Sequence, residues 1–356
     1  MLQGYTADGT ERGVQLAVYW RGQLVVHAWA GTADVRDGRP VRADTLFPIY
    51  STGKGILATI IHRLVERGAL AYDQAIASVW PEFAAHGKEH ITIAEALNHS
   101  AGIPQVPAVE NMAEFHNWDA MCRKVAALVP RWPPGTRMEY HAITYGWILG
   151  ETARRITGKT VPELLRDEIC RPLGITEFYL GIPDTVESRV AFLEGAAWQP
   201  PAVEDPAIPN WLGSLVDWMN RPDARRACIP ASNGIATAEA IARHYAALLP
   251  GGVNGVELLP PSRVALAAAL QKPALSQDQD YPKCWGLGYQ IGGPGSAYGE
   301  SPRAFGHAGY GGSIGFADPT CDLAVGLTKN WFHAPDGVGR ILDEIRREIG
   351  GGARRE

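Results

Sequence analysis

The chain has 356 residues, 46% of them hydrophobic and 20% charged, with a net charge of −5. That composition is ordinary for a globular protein, and the length suits one large two-lobed unit or two domains. A negative balance, only seven lysines and no basic stripe disfavour nucleic-acid binding, and no run of eighteen apolar residues is present to span a bilayer.

The first thirteen residues, MLQGYTADGTERG, contain no basic segment followed by an apolar one, so a cytoplasmic protein is expected. Cysteines Cys122, Cys170, Cys228, Cys284 and Cys321 are odd in number and scattered, which fits reduced thiols better than a disulfide framework or a zinc site. Val14 to Trp20 and Leu24 to Trp29 are β-rich runs split by Arg21-Gly22-Gln23, the pattern of an opening hairpin. Thr45 to Tyr50 reads as an extended approach. From Gly55 to Arg67, Ile56, Leu57, Ile60, Ile61, Leu64 and Val65 then form one helical stripe closed by Gly68.

From about Tyr72 to Leu180 the pattern is mostly helical, with a capping box at Thr92 to Glu95 and a clear amphipathic helix from Ala142 to Ile156. Gly181 to Pro230 is rich in proline and tryptophan and reads as long ordered loop. Trp198, Trp211 and Trp218 are candidates to wall a pocket there. Helices are expected at Thr237 to Leu249, Pro261 to Leu270 and Gly337 to Ile349. Short strands are expected at Gly286 to Ile291, Ser313 to Ala317 and Leu323 to Thr328. The expected class is therefore α/β of the α+β kind, an antiparallel sheet built from both termini and flanked by helices, with an inserted all-helical lobe. Residues 1–78 with 230–356 are expected to form the sheet domain, and 79–229 the helical domain with its substrate loops.

Ser51-Thr52-Gly53-Lys54 sets a hydroxyl and an amine three residues apart at a helix start, where i and i+3 share a face and can hydrogen-bond. Serine acyl transfer needs that pairing, and the helix end favours developing negative charge. Alone, the motif reads more readily as a capping serine before an amphipathic helix. Glu139-Tyr140-His141-Ala142 puts a phenol at the mouth of the next long helix, where it can exchange protons or simply staple the helix end. Phe305-Gly306-His307-Ala308-Gly309-Tyr310 alternates small residues along a strand, which would let a substrate approach the backbone.

In this order the segments resemble the serine β-lactamase and penicillin-binding-protein superfamily, most closely class C β-lactamases and the β-lactamase-like carboxylesterases. Ser51-Thr52-Gly53-Lys54 matches S-x-x-K, Tyr140-His141-Ala142 aligns with Y-x-N, and His307-Ala308-Gly309 takes the place of K-T-G. Leu97 to Ile103, Arg171 to Ile175, Ser232 to Thr237 and Trp285 to Tyr289 are similar to further landmarks of the family. The resemblance implies a β-lactamase/transpeptidase-like fold, Ser51 as nucleophile, Lys54 and Tyr140 sharing the base role, and an oxyanion hole at the N–H groups of Ser51 and Tyr310. It also places His307, Gly309 and Tyr310 at the substrate, with no cofactor and no metal.

Two departures sharpen what the resemblance implies. Ala142 removes the asparagine side chain that holds a substrate amide, and His307 replaces a lysine that holds a carboxylate. Histidine, with an ordinary pKa of about 6.5, is mostly neutral at pH 7. The expected function is thus a serine acyl hydrolase acting on small or medium esters, with a small-molecule acyl substrate and neither nucleic-acid nor membrane partner. Transfer of the acyl group to a small amine or alcohol is the main alternative. A β-lactamase, a D-aminopeptidase or a non-catalytic binding module ranks lower.

Three rival motifs carry less. Gly311-Gly312-Ser313-Ile314-Gly315 has the G-x-S-x-G spacing but enters a strand, with only about forty residues left for Asp322 and His333 to build the partners. His86-Gly87-Lys88-Glu89-His90 has the H-x-x-E-H spacing without a helix to carry it. Gly53-Lys54 lacks the leading glycine and the trailing Ser or Thr of a phosphate loop.

Overall fold

The computed structural model describes residues 1–271, 285–332 and 337–352, so Cys284 and His333 lie outside the described residues. A seven-stranded sheet is built from β1 (Gly13–Trp20), β2 (Gln23–Asp34), β3 (Arg39–Pro40), β4 (Gln290–Ile291), β5 (Phe305–Ala308), β6 (Ile314–Asp318) and β7 (Leu323–Lys329). Their spatial order is β3-β2-β1-β7-β6-β5-β4. The two ends of the chain meet where β1 pairs antiparallel with β7, from Val14 opposite Lys329 to Trp20 opposite Leu323. Arg21 and Gly22 both take positive φ at the β1–β2 turn, so the expected hairpin closes tightly.

Four helices matter for the site: α1 (Gly53–Glu66), α2 (Thr144–Thr157), α3 (Ala238–Ala246) and α4 (Gly337–Gly352). The sheet is covered on both faces, which is why β1 is buried almost throughout and lacks an apolar-polar alternation. Val14, Leu16 and Val18 pack with Ile341, Leu342 and Ile345 of α4. Ala17 and Tyr19 face the opposite core, which also holds α1, α2 and α3. Glycines let α3 sit close to the sheet: a Cβ at Gly326 would lie 2.2 Å from the Ala238 carbonyl oxygen, and one at Gly315 2.3 Å from Ile241.

Mixed α/β architecture with an antiparallel sheet is therefore what the chain adopts, as expected from its two β-rich ends. Three details differ from the reading of the sequence. Only Gln290–Ile291 of the expected Gly286 to Ile291 strand is extended, because Gly286 to Tyr289 forms a turn. Gly288 sits in that turn at φ +83, where a Cβ would come within 2.5 Å of Ala58 on α1 and 2.7 Å of the Tyr145 hydroxyl on α2. Apart from α2, which matches the helix expected from Ala142 to Ile156, the stretch after Tyr72 is broken into short helices and turns, although the Thr92–Glu95 capping box forms. Within the irregular Gly181 to Pro230 stretch, Leu215–Met219 and Pro222–Arg226 form short helices, the first capped by Ser214.

A second, three-stranded sheet pairs Gly234–Ala236 with both Phe47–Pro48 and Phe178–Leu180. It delivers the chain to α1: Ile49 donates its N–H to the Gly234 carbonyl at 2.8 Å, and the helical turn begins at the next residue.

At the edge of this assembly the Lys329 ammonium at the end of β7 meets the Glu11 carboxylate just before β1, at 2.6 Å, with side chains 4% and 0% exposed. Removing one partner leaves an uncompensated buried charge, whereas removing both does not. Lys329→Met should lower the unfolding free energy by about 3–5 kcal/mol, and Glu11→Leu/Lys329→Met should recover most of that loss in chemical denaturation. Equal losses in the single and double variants would show that the pair does not join the two ends.

Candidate active site

Ser51 lies in a 3-10 turn, Tyr50–Thr52, that runs directly into α1. Tyr50 takes φ +46, a strained value for a bulky residue, of order 1–3 kcal/mol. The ring is held in place regardless: it is buried, its hydroxyl donates to the Leu215 carbonyl at 2.8 Å, and it meets Tyr310 and Phe332 edge-on. This clamp turns the next residue, Ser51, toward a cavity of about 490 Å³ between α1, the mouth of α2, the Gly181 to Pro230 stretch and the end of β5.

Lys54 is one turn further on and fully buried. Its Nζ contacts Ser51 Oγ at 2.8 Å, the Ala142 carbonyl at 2.7 Å and the Ala231 carbonyl at 2.7 Å. No carboxylate is paired with it among the described residues, and burial holds its pKa well below the ordinary lysine value. A neutral amine has two N–H donors and one lone pair. The two carbonyls can only accept, so they take both N–H groups and leave the lone pair for the Ser51 hydroxyl to donate into.

Tyr140 is half-buried at the approach to α2, with its ring centre 4.8 Å from Lys54 Nζ. The phenol ring stacks on Trp285 at 5.7 Å and packs against His99 and His307. His307, on β5, is fully buried and held neutral, its pKa pushed down to about 3 by burial and by the nearby Lys54. Its Nδ1–H donates to the Ala308 carbonyl at 2.7 Å. Gly309 follows the strand against the Tyr50–Thr52 turn, where a Cβ would stand 2.2 Å from the Ile49 carbonyl oxygen and 2.9 Å from Thr52 Oγ1. Tyr310, 52% exposed, forms part of the cavity rim.

All six residues singled out in the sequence, Ser51, Lys54, Tyr140, His307, Gly309 and Tyr310, thus converge on one place, all but the buried Lys54 lining the cavity wall. Several contributors carried little signal in the sequence. The Ala142 and Ala231 carbonyls are backbone groups, and Gln290, which also lines the cavity, stands in an unremarkable context, whereas Ser232, another lining residue, opens one of the family's landmark segments. Gln290 is the one polar side chain in its short apolar run. Asp205, Ile208 and Leu215 come from the Gly181 to Pro230 stretch as walls, but Trp198, Trp211 and Trp218 do not. Trp211 and Trp218 pack on Phe115 instead.

The rival motifs are not assembled for chemistry. Ser313 is buried at the entry to β6 rather than on a strand-to-helix turn. His86 and Gly87 both take positive φ, so His86 and His90 share no helix face, and no cluster of three His, Cys, Asp or Glu suited to a metal occurs among the described residues.

The buried histidines His62, His244 and His307, with pKa values pushed down to about 3, and His141, pushed down to about 4, are all neutral in the fold. The unfolded chain takes up these protons first, near pH 6.5, so the stability they contribute is complete above that pH and is lost as pH falls toward about 4 for His141 and about 3 for the other three. Between pH 7 and 5 the unfolding free energy should drop by on the order of 1 kcal/mol per histidine per pH unit below 6.5. Denaturation midpoints that stay level over this range would contradict the buried neutral state.

A family model described as Beta-lactamase matches residues 1–346. Esterase/beta-lactamase LipL of Mycobacterium tuberculosis is 32% identical over 343 residues, covering 91% of this chain and 78% of that protein. Among solved structures, a penicillin-binding-protein homologue from Caulobacter crescentus is 36% identical with a TM-score of 0.85, covering 98% of this chain and 95% of that one. A family VIII carboxylesterase is 32% identical with a TM-score of 0.87, covering 97% and 95%.

Proposed function

The chain belongs to the β-lactamase family, and we propose that within it this protein is a serine ester hydrolase working through an acyl-Ser51 intermediate. The observation that carries this reading is the contact of Ser51 Oγ with a buried amine that has no anionic partner among the described residues. Ser51 Oγ attacks the ester carbonyl carbon while its proton passes to the Lys54 lone pair. The N–H groups of Ser51 and Tyr310 face the oxyanion that forms. As the tetrahedral species collapses, the C–O bond to the alcohol breaks and Tyr140, relayed by Lys54, returns the proton to the leaving oxygen. Water then attacks the acyl-enzyme through the same groups in reverse and releases the acid.

Charge at the cavity supports a neutral substrate. Among the described residues no Lys or Arg side chain lines it, His307 is neutral, and the charged lining residues are the acids Glu139 and Asp205. Glu139 is paired with Arg137 at 2.7 Å, outside the lining. A carboxylate such as that of a penicillin would find no fixed cation among the described lining residues, and Ala142 offers no amide to its side chain. The same acyl-enzyme would serve transfer to a small amine or alcohol, since only the second nucleophile differs. The reading requires no metal or cofactor, and the free thiols Cys122, Cys170, Cys228 and Cys321 suit a cytoplasmic setting.

A fluorophosphonate should add to Ser51 in the native protein and not in Ser51→Ala, as read by intact mass and peptide mapping. For esters matched except for a carboxylate near the scissile bond, kcat/KM should favour the neutral member by about tenfold or more, the worth of a missing charged hydrogen bond. Labelling that survives Ser51→Ala would overturn the assignment of the nucleophile. A preference for the anionic ester would overturn the substrate class.

A further inference from the structure

Gln290, on β4 beside the strand that carries His307, has its side-chain amide fixed in one orientation. The Ala308 N–H donates to its Oε1 at 3.3 Å, and the Tyr298 hydroxyl donates to the same oxygen. A backbone N–H can only meet the amide oxygen, so the two donors decide which end of the amide faces the protein. Oxygen lies inward and the NH₂ group is turned away. Gln290 lines the cavity, is half-buried, and its Nε2 is not among the buried atoms lacking a partner. With Oε1 taken by the protein, the two N–H donors that remain belong to a side chain that lines the cavity, on an element other than the one on which Ala142 has no donor to give.

The position of this donor relative to the reacting atoms follows from its neighbours. Ala308, which holds the amide oxygen, directly follows His307, and His307 packs against Tyr140 with ring centres 6.2 Å apart. Tyr140 is the group that returns the proton to the leaving oxygen, so this side of the cavity receives the alcohol part of the ester. The apolar wall of Ile208 and Leu215 comes from the irregular Gly181 to Pro230 stretch and is left for the acyl part.

We propose that Gln290 is a specificity-determining residue whose amide N–H groups bind an uncharged acceptor oxygen, an ether, hydroxyl or carbonyl, carried by the alcohol part of the substrate. The proposal rests on the ester-hydrolase reading of the same site. Tyr298 acts through Gln290 as a positioning residue, and the preferred substrates are esters of oxygenated alcohols rather than of plain alkanols. In acyl transfer the same donors would select acceptors that carry a second oxygen.

Two pairs of equal-length esters isolate this contact: 2-methoxyethyl against n-butyl butanoate, and 3-methoxypropyl against n-pentyl butanoate. All four esters give the same butanoyl-Ser51, so deacylation is common and kcat/KM differs only through the alcohol part. In at least one pair, the ratio of ether ester to alkyl ester should fall about three- to tenfold from the native enzyme to Gln290→Leu, the worth of one neutral hydrogen bond. Gln290→Glu, which keeps the shape but not the donors, should lose the preference likewise, and Tyr298→Phe should lose part of it. Ratios unchanged in a folded Gln290→Leu or Gln290→Glu, with melting temperatures near the native value, would overturn the proposal. Loss of turnover of all four esters in Ser51→Ala, with unchanged ratios in the Gln290 variants, would refute this inference alone. Absence of Ser51-dependent turnover in the native enzyme would instead refute the hydrolase reading on which it rests.

Discussion

A lysine amine buried without a counter-charge among the described residues is the constraint around which the site is arranged. An isolated ammonium in such surroundings is costly, and a pKa drop is the ordinary way a protein avoids that cost. The two carbonyls at 2.7 Å fix where the amine's hydrogens point. Ala142 stands just ahead of α2 and Ala231 just ahead of Gly234–Ala236, the central strand of the second sheet, so three separate parts of the chain must be in register for Lys54 to meet Ser51. The contact between Lys54 and Ser51 is thus a product of the whole fold and not of the four-residue motif.

The surrounding architecture serves the same end. Strain at Tyr50 turns Ser51 outward, and burial, a hydrogen bond to Leu215 and two aromatic contacts hold that strained backbone. On the opposite side, only glycine at position 309 allows the end of β5 to reach the nucleophile turn. Trp285 and His99 then confine Tyr140 close to Lys54. Each device contributes little by itself, and together they bring a hydroxyl, an amine, a phenol and a strand edge to one cavity wall.

Much of this was legible in the sequence because it rests on local spacing. The i, i+3 relation of Ser51 and Lys54, the apolar stripe of α1, the β1–β2 hairpin and the Thr92 capping box all depend on neighbours a few residues apart. The order of the Ser51, Tyr140 and His307 segments then pointed to the family and to the convergence of these residues. What escaped was non-local. The Gly286 to Tyr289 turn looks like the start of a strand until α1 and α2 are seen to crowd Gly288. The tryptophans after Gly181 look like a pocket wall until Phe115 takes two of them. Gln290 is one polar residue in an apolar run, and its orientation depends on Tyr298 and Ala308, which the chain brings beside it only in the folded state.

The ionisation of Lys54 can be followed directly with lysine labelled at Cε and Nζ, recording NMR resonances against pH and assigning Lys54 by its disappearance in Lys54→Arg. Seven lysines make the spectrum tractable, and Lys88, with its pKa lowered to about 8, serves as an internal reference for partial burial. If Lys54 is the neutral acceptor for the Ser51 proton, its resonance titrates well below those of the exposed lysines. Titration at the ordinary lysine value of about 10.4 would mean that the amine is a fixed cation in the resting enzyme, and the base at Ser51 would have to be sought elsewhere.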